Sequence, residues 1–153
     1  MSDSSKNADA WAVTPERYAA DNPPRFGTDV SLSSCYVTMR DGVGIALDVH
    51  LPKDLPPGET LPALLINTPY YRRFKVAPAA AAEVEASPNT GYIRDYFVPH
   101  GYAVVVADVR GTGASSGSRD GFRSPRERED YRELADWLVA QSWSDGTIGS
   151  TGI

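Results

Sequence analysis

The chain has 153 residues, of which 41% are hydrophobic and 23% charged, so it can form one domain with a buried core and is not predicted to be disordered throughout. Its formal charge of −5 argues against a protein that binds the phosphate backbone of nucleic acids, because such a protein needs a basic surface. Cys35 is the single cysteine, which excludes an internal disulfide and a metal site built from several cysteines.

Residues 1–28 are predicted to form a polar N-terminal tail, because they are rich in Ser, Asp, Asn and Pro. Within this tail, Thr14-Pro15-Glu16 is typical of a helix start, with Thr as the cap and Pro at the first helical position. Trp11 and Tyr18 either attach the tail to the domain or are ordinary, partly exposed aromatic residues. A cytoplasmic protein with no membrane partner is expected, since neither a signal peptide nor an apolar run of membrane-spanning length is present in the sequence.

Apolar residues recur at every second position on both sides of Asp41-Gly42. An Asp-Gly pair between two alternating runs is the strongest local pattern for a β-hairpin, so an antiparallel hairpin is predicted. The alternating apolar set is Cys35, Val37, Met39, Val43, Ile45, Leu47 and Val49. Cys35 is interpreted as a small packing residue of the first strand rather than as a nucleophile.

Two short continuous apolar runs, residues 61–67 and 102–109, predict strands that are buried on both faces, as in a parallel sheet covered by helices. An alanine-rich region over residues 77–86 lies between them, and a helix is predicted over about 90–98. The alternation of strands and helices after the hairpin predicts the α/β class with a mainly parallel sheet.

The clearest helix pattern begins at Ser124, which caps the helix, with Pro125 in the first helical position. Glu127 stands three residues after the cap and predicts a capping box. The apolar residues that follow at helical spacing predict one buried stripe. They are Tyr131, Leu134, Ala135, Leu138 and Val139.

The glycine-rich loop at Gly111, Gly113 and Gly117 follows a predicted strand. This position is compatible with a nucleotide-binding loop or with a structural turn. A dinucleotide-binding loop opens directly into a helix, whereas the helix pattern here begins only at Ser124, and no Lys-Ser or Lys-Thr pair forms a P-loop. The structural turn is favoured, and no cofactor and no metal are predicted. Asp108 and Arg110 are expected to pair with each other or with neighbouring loops, and to support an active-site rim rather than to catalyse.

The last stretch, residues 143–153, contains the turn pattern Asp145-Gly146 and then small and β-branched residues that predict a buried parallel strand. In a nucleophile elbow, Gly-x-Ser-x-Gly, the serine follows directly after such a strand. Gly152 and Ile153 match the first two positions of that pattern, and the serine would come next. The expectation is therefore a fold that stops immediately before its nucleophile elbow.

Several motifs, in this order and spacing, resemble a family of serine hydrolases that includes cocaine esterase, X-prolyl dipeptidyl peptidases and α-amino-acid ester hydrolases. Each motif is weak alone, but together they extend the resemblance from about Val37 to Ile153. The matching segments are Met39-Arg40-Asp41-Gly42-Val43, Leu47-Asp48-Val49, Asn67-Thr68-Pro69-Tyr70, Asp108 to Ser115, Glu129-Asp130, Asp136-Trp137-Leu138, Gln141 and Trp143 to Gly152.

The resemblance implies an α/β-hydrolase fold, with residues 29–153 as an incomplete hydrolase domain after the tail of residues 1–28. It also implies acyl transfer through a serine, a histidine and an aspartate, on small esters or X-prolyl peptides. In this family the tyrosine that follows the Pro69 position donates its hydroxyl to the oxyanion, and that role falls on Tyr70. Tyr71 is interpreted as a packing aromatic.

The resemblance places the nucleophile, acid and base after Ile153, so the chain by itself is expected to be inactive. His50 and His100 precede the elbow and are interpreted as structural or solvated residues. Ser115, Ser116 and Ser150 lack the context of an elbow. Two alternatives remain: a non-catalytic remnant or binding module of hydrolase origin, and a nucleotide-dependent enzyme that uses the Gly111–Gly117 loop.

Overall fold

The structure is a computed structural model that describes residues 13–81 and 83–151. Expectations that concern Trp11, Gly152 and Ile153 therefore lie outside the described residues. The elements in chain order are α1 (Pro15–Asp21), β1 (Val30–Thr38), β2 (Gly44–Pro52), β3 (Leu61–Thr68), a short 3₁₀ helix (Pro78–Ala80), α2 (Gly91–Phe97), β4 (Ala103–Asp108), α3 (Pro125–Val139) and β5 (Ser144–Ser150).

The five strands form one mixed sheet in the order β1-β2-β4-β3-β5. The predicted hairpin is confirmed: β1 and β2 pair antiparallel around a turn in which Gly42 has a φ of 81°. Few residues other than glycine adopt this left-handed conformation, which explains the Asp-Gly pair. The strands β3, β4 and β5 run parallel to one another, whereas β2 is antiparallel to β4. The predicted α/β architecture with an N-terminal hairpin is thus confirmed.

The sheet has two covered faces, which we name after the helix that packs on each. The α3 face joins one alternating set of strand residues to α3, and the α2 face joins the other set to α2. The α3 face includes Val37, Ile45, Leu47, Val49, Leu65, Val105 and Ala107, which pack with Leu134 and Leu138. The α2 face includes Leu64, Ile66, Val104 and Val106, which pack with Ile93 and Val98.

All six residues of β4 are buried, because the strand has a neighbour on both edges and a helix on both faces. This confirms the prediction of a doubly buried strand. Within the described residues, no helix combines the length and apolarity needed to cross a membrane.

The region before the sheet begins with α1, where Thr14 Oγ1 accepts a hydrogen bond from Arg17 N at 3.4 Å, as the cap pattern predicted. Backbone and side-chain groups attach this region to the domain, since Arg25 Nη2 donates to Glu59 Oε1 at 2.6 Å and Gly27 N donates to Asp54 Oδ2 at 3.1 Å. The amides of Arg25 and Phe26 donate to Pro99 O at 2.8 and 3.0 Å. Tyr18 is 54% exposed, which favours the second of the two alternatives for this residue, an ordinary, partly exposed aromatic.

Helix α3 begins as predicted, since Ser124 Oγ accepts a hydrogen bond from Glu127 N at 3.3 Å. The second half of the predicted capping box is absent, because the Glu127 carboxylate instead accepts from Arg123 N and Arg119 Nε. The predicted stripe is correct for Leu134 and Leu138, which are buried, and wrong for the last residue, Val139, which is 45% exposed. Trp137 packs against the α3 face in its place.

The terminal strand β5 pairs in parallel with β3, as predicted, but the prediction that it is buried is wrong. Only Ser144 and Ile148 are partly buried in β5, and Ile148 packs against the α3 face. The physical reason is position: β5 is the last strand in the sheet order, so no described strand lies against its outer edge.

Candidate active site

Tyr70 lies in the loop that leaves the carboxyl end of β3, at the edge of the sheet where β4 also ends. Thr68 Oγ1 accepts a hydrogen bond from Tyr70 N at 3.0 Å, and Asn89 Nδ2 donates to Tyr70 O at 3.1 Å. These two bonds fix the backbone while the side chain remains 56% exposed. The next residue, Tyr71, packs its ring 5.6 Å from that of Phe74, in agreement with its interpretation as a packing aromatic.

The Tyr70 side chain lines a cavity of about 280 Å³, which we call the Tyr70 cavity. Its walls come from the ends of β3 and β5, the segment after β4 and the beginning of α3. The lining residues are Leu65, Asn67, Pro69, Tyr70, Val109, Arg119, Phe122, Arg123, Tyr131, Ser150 and Thr151. Tyr70 and the end of β5 therefore share one cavity at the carboxyl edge of the sheet, which is where ligands bind in open α/β sheets.

The charged groups in the lining of the Tyr70 cavity are both arginines. Arg119 Nε is 2.6 Å from Glu127 Oε1, and this hydrogen bond is the main cause of a raised pKa for the Arg119 guanidinium. The phenol oxygens of Tyr131 and Tyr70 raise the same pKa further, so both lie within electrostatic reach of Arg119. The Arg123 guanidinium stacks over the Phe122 ring, 4.9 Å from its centroid.

Tyr131 closes the other side of the Tyr70 cavity and is half-buried. Burial is the main cause that raises the pKa of its phenol, and the charge of Glu127 adds to the effect. Arg119 and Arg123 act in the opposite direction. The Tyr131 phenol therefore stays protonated at neutral pH and can donate a hydrogen bond into the cavity.

The Tyr70 loop is held from the α2 face by Asp108, the last residue of β4. Asp108 Oδ1 accepts from Arg72 N at 2.8 Å, while Oδ2 accepts from Arg72 Nη1 at 2.5 Å and from Ala114 N at 3.0 Å. One buried carboxylate thus joins the Tyr70 loop to the glycine-rich loop. The sequence placed Asp108 at this edge but did not identify Arg72 as its partner.

Arg72 has a second buried partner, Asp48 of β2, whose Oδ1 accepts from Arg72 Nε at 3.1 Å and from Ser34 Oγ at 2.6 Å. Asp48 Oδ2 lies 3.2 Å from Arg73 Nε, near enough for an ion pair, but has no aligned hydrogen bond. The sequence placed Asp48 in a family motif but did not predict its ion pair with Arg72. Its signal was a carboxylate within an otherwise apolar strand segment, which requires a cation when both faces are covered.

Arg110 is fully buried and does not pair with Asp108. Its Nε and Nη2 donate to the two carboxylate oxygens of Asp130 at 2.6 and 2.5 Å, and its Nη1 donates to Asp41 Oδ2 at 2.8 Å. The pKa of Arg110 is raised, first by the hydrogen bond to Asp130. Of the two predicted alternatives, pairing with neighbouring segments is the correct one for both Asp108 and Arg110.

The glycine-rich loop uses its own backbone groups internally. Gly111 N donates to Ser116 O at 2.9 Å, and Ser115 N donates to Thr112 O at 2.9 Å. Gly113 has a φ of 55°, and a Cβ there would collide with the Asp108 carboxylate. These contacts favour the structural interpretation of the loop over a phosphate-binding one.

Both histidines bond to backbone carbonyls. His50 is 4% exposed, and its Nδ1 is 3.2 Å from Val104 O. His100 Nδ1 is 2.6 Å from Tyr96 O, and its ring stacks on Tyr96 with the centroids 4.4 Å apart. A carbonyl only accepts, so each Nδ1 carries a hydrogen. This agrees with a structural role for both residues.

The serines of the glycine-rich loop are also engaged. Ser115 Oγ accepts from Ala46 N at 2.9 Å and donates to Asp108 O at 2.7 Å. Ser116 Oγ accepts from Gly44 N at 2.9 Å. Both hydroxyls join this loop to β2, and neither of these bonds is to a histidine that could act as a base. Within the described residues, no group of three or more His, Cys, Asp and Glu side chains is arranged to hold a metal ion.

Comparison with known proteins gives one family and several relatives. The model of the family described as X-Pro dipeptidyl-peptidase (S15 family) matches residues 41–153. A provisionally named serine esterase of Mycobacterium bovis is 40% identical over 148 residues, which cover 94% of this chain and 23% of the relative. The cocaine esterase of a Rhodococcus species is 33% identical over 121 residues, which cover 79% of this chain and 19% of the relative.

A solved structure is similar as well. The CocE/NonD family hydrolase from Staphylococcus aureus superposes with a TM-score of 0.56 at 27% identity, over 80% of this chain and 23% of that chain. The chain thus spans about a fifth to a quarter of the length of these proteins. The family match covers more than half of this chain and agrees with the sheet order and the motifs at its carboxyl edge. The chain therefore belongs to the S15 family of X-Pro dipeptidyl-peptidases.

Proposed function

We propose that this chain forms the N-terminal part of a serine hydrolase that cleaves acyl esters or X-prolyl peptides through an acyl-enzyme intermediate. The observation that supports this most directly is the Tyr70 cavity, in which Tyr70 and the end of β5 meet at the carboxyl edge of the sheet. The names of the relatives, which include an esterase and Xaa-Pro dipeptidyl-peptidases, support both substrate classes.

In the proposed mechanism, Tyr70 donates its phenol hydrogen to the oxyanion. When a serine attacks the substrate carbonyl, the carbonyl oxygen gains negative charge, and a donor already in place stabilises that charge more than the neutral ground state. The two hydrogen bonds of the Tyr70 backbone support this role, because they fix the position from which the phenol reaches the oxyanion. One such donor lowers the barrier by about 3–4 kcal/mol, a factor of roughly 10²–10³ in rate.

The nucleophile, base and acid are not assigned to described residues. His50 and His100 bond to carbonyls, and Ser115 and Ser116 bond to the backbone of neighbouring segments. We therefore expect the 153-residue chain alone to show no ester turnover and no labelling by a fluorophosphonate probe. Stoichiometric labelling would contradict this part of the proposal.

The oxyanion role is tested by Tyr70→Phe in the complete hydrolase that carries this sequence. We expect kcat for a small acyl ester to fall by about 10²–10³, because only the transition-state hydrogen bond is lost. Tyr71→Phe is the matched control and should leave kcat unchanged, since Tyr71 packs against Phe74. An unchanged kcat in Tyr70→Phe would remove the assignment.

A second candidate is a non-catalytic binding module of hydrolase origin. It is favoured by a buried core and by the ion pairs of buried Arg110, which has its carboxylate partners within the chain. A monomer that unfolds cooperatively would support such a self-sufficient module. Aggregation through the exposed β5 edge would support a part of a larger enzyme instead.

A further inference from the structure

The Tyr70 cavity contains hydrogen-bond donors, and no carboxylate side chain of a described residue belongs to its lining. Glu127, the carboxylate that bonds both arginine residues of the lining, is itself fully buried and does not line the cavity. Its Oε1 accepts from Arg119 Nε at 2.6 Å, and its Oε2 accepts from Arg123 N at 2.8 Å. The two terminal nitrogens of Arg119 and the whole guanidinium of Arg123 therefore remain available for a ligand.

The position of Arg123 is set by its backbone rather than by a side-chain partner. Arg123 has a φ of 53°, which is uncommon for a residue with a side chain, and Glu127 Oε2 accepts its amide hydrogen. Its guanidinium stacks on Phe122, and no described residue accepts a hydrogen bond from it. An arginine held in this way presents a planar pair of donors that matches the geometry of a carboxylate.

Tyr70 and Tyr131 add phenol donors to the same cavity. Among the described residues, the lining thus combines two cationic groups, two phenols and the apolar ring of Phe122, without an anionic side chain. In a protein with a formal charge of −5, a cavity with only cationic charges is a local exception. The complementary ligand is an anion with a short hydrocarbon part.

We propose that the Tyr70 cavity binds a carboxylate group carried by the substrate, with Arg123 as its main contact and Arg119 as the second. The identification of this ligand as substrate rests on the function proposed above. At about 280 Å³, the cavity is close to the lower end of the range for small-molecule sites, roughly 300 Å³, and suits a short acyl group. The predicted substrate class is esters or peptides with a second, free carboxylate a few bonds from the scissile carbonyl, such as half-esters of short dicarboxylic acids.

The test measures binding of monomethyl glutarate to the 153-residue chain by NMR titration, with the neutral dimethyl glutarate as the reference ligand. We expect saturable shifts at Arg123 and Phe122 for the monoanion and none for the neutral diester. Arg123→Gln should weaken binding by about tenfold or more, the size of a hydrogen bond to a charged group. Arg123→Lys, which keeps the charge but loses the planar fork, should lie between the two.

Arg128→Gln is the matched control, because it removes the same charge from an exposed arginine. Arg128 lies on α3 and does not line the cavity. It should leave the affinity unchanged. Equal weakening by Arg128→Gln and Arg123→Gln, equal binding of the neutral diester, or no binding of the monoanion would each overturn the proposal. Since the Arg123 side chain is exposed, its variants are expected to fold, which is checked by their unfolding temperature.

The result is separable from the function of Tyr70. In the complete hydrolase, Arg123→Gln should raise KM for the half-ester by about tenfold more than KM for the neutral ester, whereas Tyr70→Phe should lower kcat for both. Loss of the preference for the half-ester over the neutral ester, without loss of kcat, supports the carboxylate site. A Tyr70→Phe variant with normal kcat but with Arg123-dependent binding of the monoanion would overturn the oxyanion assignment alone.

Discussion

The two faces of the sheet use buried charge in different ways. On the α3 face, buried Arg110 is matched by Asp130 and Asp41, so its guanidinium is enclosed by partners within the chain. On the α2 face, Asp48 and Asp108 share one arginine, Arg72, and one oxygen of Asp48 has no aligned hydrogen bond. The first cluster is closed on itself, whereas the second reaches out to the loop that carries Tyr70.

The difference shows that arginines near one edge of the sheet have different roles, structural in one case and available to a ligand in the other. Each of the three side-chain nitrogens of Arg110 donates to a carboxylate, and the residue joins the hairpin turn at Asp41 to α3 at Asp130. The side chain of Arg123, also after β4, has no carboxylate partner among the described residues and lines a cavity. A guanidinium in which every nitrogen bonds a carboxylate indicates a structural joint, whereas a guanidinium without such partners at a cavity indicates a ligand site.

The largest effect is expected on the α3 face, for Asp130→Asn. The Arg110 side chain is 0% exposed and that of Asp130 is 3% exposed, so the substitution leaves a buried guanidinium short of its main counter-charge. Breaking a buried pair in this way costs about 3–5 kcal/mol in the free energy of unfolding, which urea denaturation measures. The matched control is Asp136→Asn on the same helix, where the exposed pair with Arg132 contributes about 0–1 kcal/mol. Equal losses in the two variants would contradict a closed structural joint.

An intermediate effect is expected on the α2 face, for Asp108→Asn. Arg72 keeps its bond to Asp48 and its side chain is 14% exposed, so the guanidinium is only partly deprived of partners. A loss of about 1.5–3 kcal/mol is expected, the range for hydrogen bonds to a charged group. Because Asp108 also holds the Tyr70 loop, amide exchange at Arg72 should become faster.

The control for this second prediction is Asp95→Asn, which removes a carboxylate from an exposed pair with Arg94 on α2. That variant should change neither the exchange rate at Arg72 nor the stability by more than about 1 kcal/mol. If Asp108→Asn loses stability without any faster exchange in the Tyr70 loop, the carboxylate supports the sheet but does not hold the loop.

Much of the fold could be predicted because its information is local. The Asp41-Gly42 turn, the apolar run of β4 and the Ser124 cap each depend on a few neighbouring residues. The burial of β5 could not be predicted, since it depends on which strand lies against its outer edge.

The candidate site was less predictable, because its contacts join residues far apart in the sequence. The Asp48–Arg72 bond connects positions 24 residues apart, and no local pattern selects one arginine over its neighbour. Glu127 fitted a capping box by spacing, yet its carboxylate bonds Arg119 and the amide of Arg123 instead. Only the resemblance to a family pointed to Tyr70, and nothing local pointed to the arginines beside it.

The smallest effect is expected at His50 on the α2 face, and it depends on pH. Burial is the main cause that lowers the pKa of His50 below its ordinary value of 6.5, and the charges of Arg94 and Arg73 lower it further. The bond to Val104 O and the charge of Asp48 act in the opposite direction but do not outweigh burial. The folded protein therefore takes up the His50 proton at a lower pH than the unfolded chain does.

The sign of the pH effect follows from this difference. Well above pH 6.5, His50 is neutral in both states and contributes no pH dependence. As the pH falls through 6.5, the unfolded chain binds the proton first. Stability is therefore lost until the pH reaches the pKa of His50 in the folded protein. The slope from this one group cannot exceed about 1.4 kcal/mol per pH unit. His50→Asn, which keeps a donor for Val104 O but does not titrate, should flatten the pH dependence of the urea-unfolding free energy between pH 6.5 and 5. If His50→Asn keeps the same pH dependence of the unfolding free energy, groups other than His50 cause the loss of stability in acid, and the burial of this imidazole on the α2 face contributes little to it.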